Sequence, residues 1–204
     1  MWLGLKMGTE RRRDRKQQHA AMRRFRIFSR FYRDRDGTTA IEFSMLALPF
    51  LLVLFAILET CISFAAQQVM ANAVDDISRQ IRTGQLKGDD LKTDTKVRDF
   101  ICGRLEIMVA SGCPDLVIDL RHADTFDELA EFKMPLKGTN RLDREIDDSL
   151  ADFDPGKNTQ KNRLRVLYPW PIMTNLMQKS LSTLKDNKIL LLATAIWQNE
   201  PFNE

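Results

Sequence analysis

The chain has 204 residues, 44% hydrophobic and 29% charged, with only three cysteines. That composition excludes an intrinsically disordered chain and a disulfide-dense scaffold, and suits one domain with extra segments. The net charge of +3 hides an asymmetry: residues 1–37 carry twelve Lys or Arg against four acids, a local +8, which leaves −5 for the remainder.

Residues 1–36 show no sustained apolar face. Phe25, Ile27, Phe28, Phe31 and Tyr32 make one small aromatic cluster among arginines, which suits either a short interfacial helix or a flexible leader. Arg-rich runs bind nucleic acid in some proteins. Here an apolar span lies directly downstream, so the basic tail reads instead as a topology determinant that also touches anionic lipid, and nucleic acid is not an expected partner.

Asp34 to Thr39 is a polar, turn-like approach in which Thr38 or Thr39 is placed to cap a helix. The apolar character then begins at Ala40, and no charge occurs from Phe43 to Leu58. A helix rises about 1.5 Å per residue and a hydrocarbon core is about 30 Å thick, so Ala40 to Ile62 is long enough to cross a bilayer. Glu42 lies just inside the beginning of this span, where an unpaired carboxylate is costly and therefore a functional lead. Pro49 falls inside the same helix; it removes one backbone hydrogen bond and kinks the helix, which membrane helices tolerate. Ser44, Ala47 and Ala56 are small enough for close helix–helix approach or serve as lipid-facing filler. Lys and Arg beside a span stay cytoplasmic, so the basic leader is expected inside the cell and residues beyond about Ala66 outside the membrane, in a periplasm or its equivalent. Ser63-Phe64-Ala65 has the small-x-small form of a signal-peptidase site, but the apolar stretch exceeds a secretory core and continues into an amphipathic helix, which points to an uncleaved anchor there.

Beyond Glu59 the helix is expected to continue. Ala66, Met70, Ala73, Ile77 and Ile81 recur at helical spacing, opposite Gln67, Asn72, Asp75, Asp76 and Arg79, until Gly84 stops the helix. The stripe requires a soluble domain to cover it. Lys87 to Thr95 is polar linker, and a second helix is predicted from about Thr95 to Ala110, closed by Ser111-Gly112-Cys113-Pro114. Strands are predicted at 116–121, 163–168 and 189–197, the second as a half-buried strand ended by a bend at Pro169-Trp170-Pro171. Residues 122–160 read mostly as loop with short helical pieces, and 172–184 as a short helix or ordered loop. The expectation is an α+β protein: a cytoplasmic leader (1–37), a transmembrane helix (38–66), an extracytoplasmic stem helix (67–84) and a small head with a short antiparallel sheet (85–204).

Cys61 ends the span and reads as a small apolar filler. Cys102 and Cys113 fall in the part expected in an oxidising compartment, which favours a disulfide; the alternative is two free buried thiols. Chemistry-bearing patterns are scarce. The histidines are His19 and His122, and there is no His-Glu-x-x-His, Cys-x-x-Cys, nucleophile elbow or phosphate-binding glycine loop. Asp152-Phe153-Asp154-Pro155-Gly156 lacks the further ligands of a calcium loop and reads as a solvated turn, and Glu145, Asp147 and Asp148 read as charged surface. No catalysis, metal or cofactor is expected; an anchored enzyme would need a polar pocket around His122 or Asp147.

Four stretches in order resemble the TadE-like (TadE/TadG) proteins of the tight-adherence system, which builds Flp-type (type IVb) pili, and among them the alphaproteobacterial members. They are Asp36-Gly37-Thr38-Thr39-Ala40-Ile41-Glu42-Phe43 with Ala47-Leu48-Pro49-Phe50; Ile81-Arg82-Thr83-Gly84-Gln85; Cys102 and Cys113 around Arg104-Leu105; and Tyr168-Pro169-Trp170-Pro171 with Ala193 to Phe202. The resemblance implies a pseudopilin or minor pilin of the bacterial inner membrane, with other pilin-like subunits, the assembly platform and prepilin peptidase as partners. It implies cleavage after Gly37, which leaves Thr38 as the new amino terminus and Glu42 as the fifth residue, the position whose carboxylate pairs with a neighbouring subunit's terminal amine in pilin-like proteins. Thr38 stands where pilins commonly carry a large apolar residue, and the alternative is an uncleaved bitopic scaffold or sensor.

Overall fold

The computed structural model describes residues 36–86, 88–141 and 143–201. The basic leader, its aromatic cluster and His19 lie outside the described residues. Contacts divide the chain into two units between Val53 and Leu54. In the first, the described residues 36–53 are helical, with apolar side chains such as Phe43, Met45 and Leu48 exposed.

These residues open helix α1, Asp36–Arg82, which is long and apolar enough to cross a membrane and runs through Pro49 without interruption. It starts before the Thr38–Thr39 position at which capping is expected. It ends as its sequence predicts: Gly84 has φ +70°, its amide donates to Ile81 O, and the Gln85 amide donates to Gln80 O. This is the Schellman arrangement, for which glycine is suited because it has no Cβ to clash in the left-handed conformation.

In the second unit, the C-terminal part of α1 packs on α2 (Thr95–Leu105) and on a three-stranded antiparallel sheet in the order β1 (Val117–Ala123), β4 (Lys161–Pro171), β5 (Lys188–Gln198). Between β1 and β4 lie α3 (Phe126–Glu131) and a small hairpin of β2 (Leu136–Lys137) and β3 (Glu145–Ile146); α4 (Asn175–Leu181) lies between β4 and β5. The core unites the α1 stripe of Ala66, Met70, Ala73, Val74, Ile77 and Ile81 with Val97, Ile101 and Leu105 of α2 and alternate residues of the sheet, including Leu120, Val166, Leu191 and Trp197. The fold is thus a long apolar N-terminal helix followed by a small α+β domain with a short antiparallel sheet.

Several details differ from expectation. Helix α2 stops at Leu105, short of Ala110. Gln67, placed on the polar side of α1, instead donates to Leu192 O on the outer edge of β5 at 2.8 Å. Strand β4 runs straight through Pro169-Trp170-Pro171, paired throughout with β5. In an antiparallel ladder, alternate residues direct their amides to opposite sides. Ile172 donates to Asn187 O, so the Pro169 and Pro171 nitrogens point away from β5, toward a side where β1 has already ended opposite Leu167. Proline costs no ladder bond at such an edge. The arginines of β4 are buried rather than solvated, because α3 and Phe132 cover that face of the sheet.

Candidate functional site

Gly37, Thr38 and Glu42 sit in the first turns of α1, all exposed. Thr38 and Glu42 are four residues apart, on one face of the helix. The flanking side chains Ile41, Phe43, Met45 and Leu46 are apolar and exposed, and Glu42 has no partner among the described residues. Pro49 lies two turns further on, also exposed. A lone carboxylate on an apolar helix is stable in hydrocarbon only when a cation or donor from elsewhere meets it.

A second carboxylate, Glu59, was not singled out by sequence reasoning beyond being the first charge after the apolar run. It accepts hydrogen bonds from the backbone amides of Met173 and Thr174, the latter at 3.2 Å, just before α4 begins. Those amides belong to the helix-entry residues that have no partner within a helix. The Thr174 side chain itself makes no capping bond, and Glu59 instead holds the backbone just ahead of the first helical residue. No local pattern marks such a pairing, because its other half is backbone 114 residues away.

Cys102 and Cys113 are joined in a disulfide, with Cα atoms 5.8 Å apart. Gly112 and Cys113 both take positive φ, and the Glu106 carboxylate accepts from the Gly112 amide, so the loop after α2 is held from two sides. Arg98 donates to Leu116 O at 2.6 Å and pairs with Asp94, while Arg104 pairs with Asp76 of α1 at 2.6 Å. Cys61 is free and exposed.

The outer face of the sheet carries a charged cluster. Asp119 is fully buried and meets Arg121 at 2.7 Å, with Arg165 at 3.9 Å. Arg163 donates to Leu129 O and Phe132 O, and Arg165 to Phe132 O, while Arg121 and Arg163 lie over the Phe132 ring. Burial, with neighbouring Arg165 next, lowers Arg163 to about 10; burial also lowers Arg165. Three guanidiniums face one carboxylate, and several of their donors reach the carbonyls of Leu129, Phe132 and Leu150, while Arg163 Nε is buried without a hydrogen-bond partner. The arrangement pins residues 126–132 to the sheet and offers no reacting group.

Elsewhere His122 Nδ1 lies 3.2 Å from Asp154. Gly156 packs against this ring: a Cβ there would come within 2.6 Å of His122, at φ +64°. Asp147 caps Ser149, whose hydroxyl bond holds the carboxyl below its ordinary range. A cleft of about 360 Å³ is lined by Arg98, Asp115, Glu145, Lys185 and Lys188. Within it Lys185 pairs with Glu145, which raises the lysine's pKa. A shallower one of about 470 Å³ is lined by His122, Asp124, Glu128 and Phe132. Neither lining contains a serine, threonine or cysteine. Among the described residues no three His, Cys, Asp or Glu gather as metal ligands.

No curated protein and no solved structure matches the chain. Residues 37–79, which run from Gly37 through Glu42 and most of the buried stripe, match the family model described as TadE-like protein.

Proposed function

We propose that this chain is a membrane-anchored, non-enzymatic pilin-like subunit that serves assembly of Flp (type IVb) pili in tight adherence. The TadE-like match at residues 37–79 supports a pilus-associated protein in general. The finer reading rests on Glu42: a carboxylate without a partner among the described residues, on an exposed apolar helix, five positions past Gly37.

In this reading α1 crosses the bacterial inner membrane once, with the basic leader cytoplasmic and the α+β domain periplasmic, as the charge asymmetry favours. Prepilin peptidase removes residues 1–37. The Thr38 ammonium of one subunit then meets Glu42 of the next, and each charge offsets the other's desolvation. Pro49 tunes helix packing, and the Cys102–Cys113 disulfide suits an oxidising compartment. Partners are pilin-like subunits and the assembly platform.

The test is amino-terminal sequencing of membrane-extracted protein from cells with and without the peptidase, together with a Glu42→Ala chain. The expected results are Thr38 as first residue only with the peptidase, and loss of piliation in Glu42→Ala. Intact residues 1–37 in both samples would sink the pilin mechanism, and normal piliation in Glu42→Ala would remove the registration role.

A further inference from the structure

Three contacts fix which end of the α+β domain lies beside Glu59. Glu59 holds Met173 and Thr174, Gln67 holds Leu192, and Arg82 O accepts from the Glu200 amide at 3.1 Å. Strand β5 therefore runs alongside α1 in the same direction. The connection from Ile172 to Asn187, which joins the end of β4 to the start of β5, lies at the end of the domain beside Glu59. Glu59 directly follows the uncharged run that ends at Leu58.

The surface at that level is apolar on both elements. On α1, Phe55, Ile57 and Leu58 are exposed, and so are Ile62 and Phe64 beyond Glu59, whereas the buried stripe starts only at Ala66. On the connection, Met173 is 85% exposed, the most exposed large apolar side chain among the described residues. Its amide is nevertheless held by Glu59, so the backbone is fixed while the thioether points outward. The connection itself carries Lys179, together with Lys185, which is paired with Glu145, and the exposed Asp186. Arg141 donates to Lys179 O at 2.8 Å, and both side chains are exposed and outside any ion pair among the described residues.

We propose that the Ile172–Asn187 connection is a second membrane contact, a sole that rests on an anionic lipid surface. Met173 enters the boundary between headgroups and acyl chains beside Ile62 and Phe64, while Lys179 and Arg141 reach lipid phosphates. An apolar side chain with flanking cations at that depth is the pattern of interfacial segments. Continuity with the exposed apolar surface of α1 selects lipid as the occupant. The contact would limit tilting of the domain against the membrane surface. The inference rests on the reading of α1 as membrane-spanning.

The test places a nitroxide label at Met173→Cys, Phe55→Cys or Lys157→Cys, each in a full-length Cys61→Ser chain. The chains are reconstituted in nanodiscs of phosphatidylcholine with one quarter phosphatidylglycerol. Collisions with oxygen and with a water-soluble nickel chelate report depth. The Lys157 label, at the opposite end of the sheet, is expected to favour nickel, the Phe55 label to favour oxygen strongly, and the Met173 label to favour oxygen with a shift toward water when phosphatidylglycerol is omitted. A lipid-exposed Phe55 with a nickel-accessible Met173, or with a Met173 shielded from both reagents, overturns the sole alone. A nickel-accessible Phe55 overturns the membrane reading and the sole with it. An unchanged Met173 depth without phosphatidylglycerol overturns the role of the cations.

Discussion

The Glu59 carboxylate holds the backbone amides of Met173 and Thr174, joining the turn of α1 after the apolar run to the start of α4. Besides the buried stripe, α1 is bound to the rest of its unit by this bond, the Gln67–Leu192 bond, the Glu200–Arg82 backbone bond and the Asp76–Arg104 pair. Only the stripe is hydrophobic and therefore undirected. The hydrogen bonds of Glu59, Gln67 and Arg82 O set the position of the sheet along the helix axis.

Glu59→Ala is accordingly expected to loosen the 172–174 turn without unfolding the sheet. A hydrogen bond to a charged acceptor at a half-exposed site contributes roughly 1–2 kcal/mol. Hydrogen exchange at Met173 and Thr174 is expected to accelerate by a corresponding factor of about 5–30. Amides of β4 and β5 are expected to be unchanged. Equal acceleration across the sheet would mean that Glu59 supports global stability instead.

Asp119→Asn is expected to cost far more. It leaves the Arg121, Arg163 and Arg165 cluster without its one counter-charge, and removing one partner of a buried pair costs about 3–5 kcal/mol. The combined Asp119→Leu, Arg165→Leu chain is expected to lose less than the two single changes summed, since the desolvation penalty leaves with the charges. Urea unfolding of the four chains measures the coupling; simple additivity would show that Asp119 and Arg165, 3.9 Å apart, do not interact energetically.

Reduction of Cys102–Cys113 is expected to destabilise the domain rather than abolish a reaction. Closing a loop between residues 11 apart constrains the unfolded chain, by roughly 3 kcal/mol on loop-entropy grounds. Cys102→Ser and Cys113→Ser are expected to show similar losses in thermal unfolding, and reductant is expected to affect neither. A large loss in Cys113→Ser alone would point to the cost of burying a hydroxyl at that fully buried position, not to the bond, as the source.

What could be read from the sequence follows the range of the interactions. The stripe from Ala66 to Ile81 was legible because its signal is a local period, and Gly84 because a helix stop needs only one residue type. The three strands were located, but not how far β4 extends, since Pro169 is acceptable only where β1 has already ended. Thr125-x-x-Glu128 is a capping box, with Glu128 accepting from the Thr125 amide, and could have marked α3 inside the presumed loop. Burial of Arg163 and Arg165 depends on what covers the sheet, and the Gln67 and Glu59 pairings on distant backbone. At the candidate site, Gly37, Thr38 and Glu42 are recognisable from their order along the chain, whereas the partner proposed for Glu42 would belong to another subunit.

Tyr168 carries the alkaline prediction. Burial, reinforced by Asp115, raises its phenol above the ordinary 10, because the folded chain disfavours the phenolate. The unfolded chain ionises first as pH rises. The contribution of this group is therefore fully present below pH 10 and is lost as pH climbs through the raised folded value. In a Tyr32→Phe chain, which leaves Tyr168 as the one tyrosine, ultraviolet titration is expected to give a midpoint above 10 that returns toward 10 in denaturant. The urea midpoint is expected to fall above pH 10 with a slope that Tyr168→Phe reduces. A folded midpoint at or below the denatured one would mean that solvent or a donor reaches the phenolate, and that Tyr168 is not shielded between the sheet and the helices.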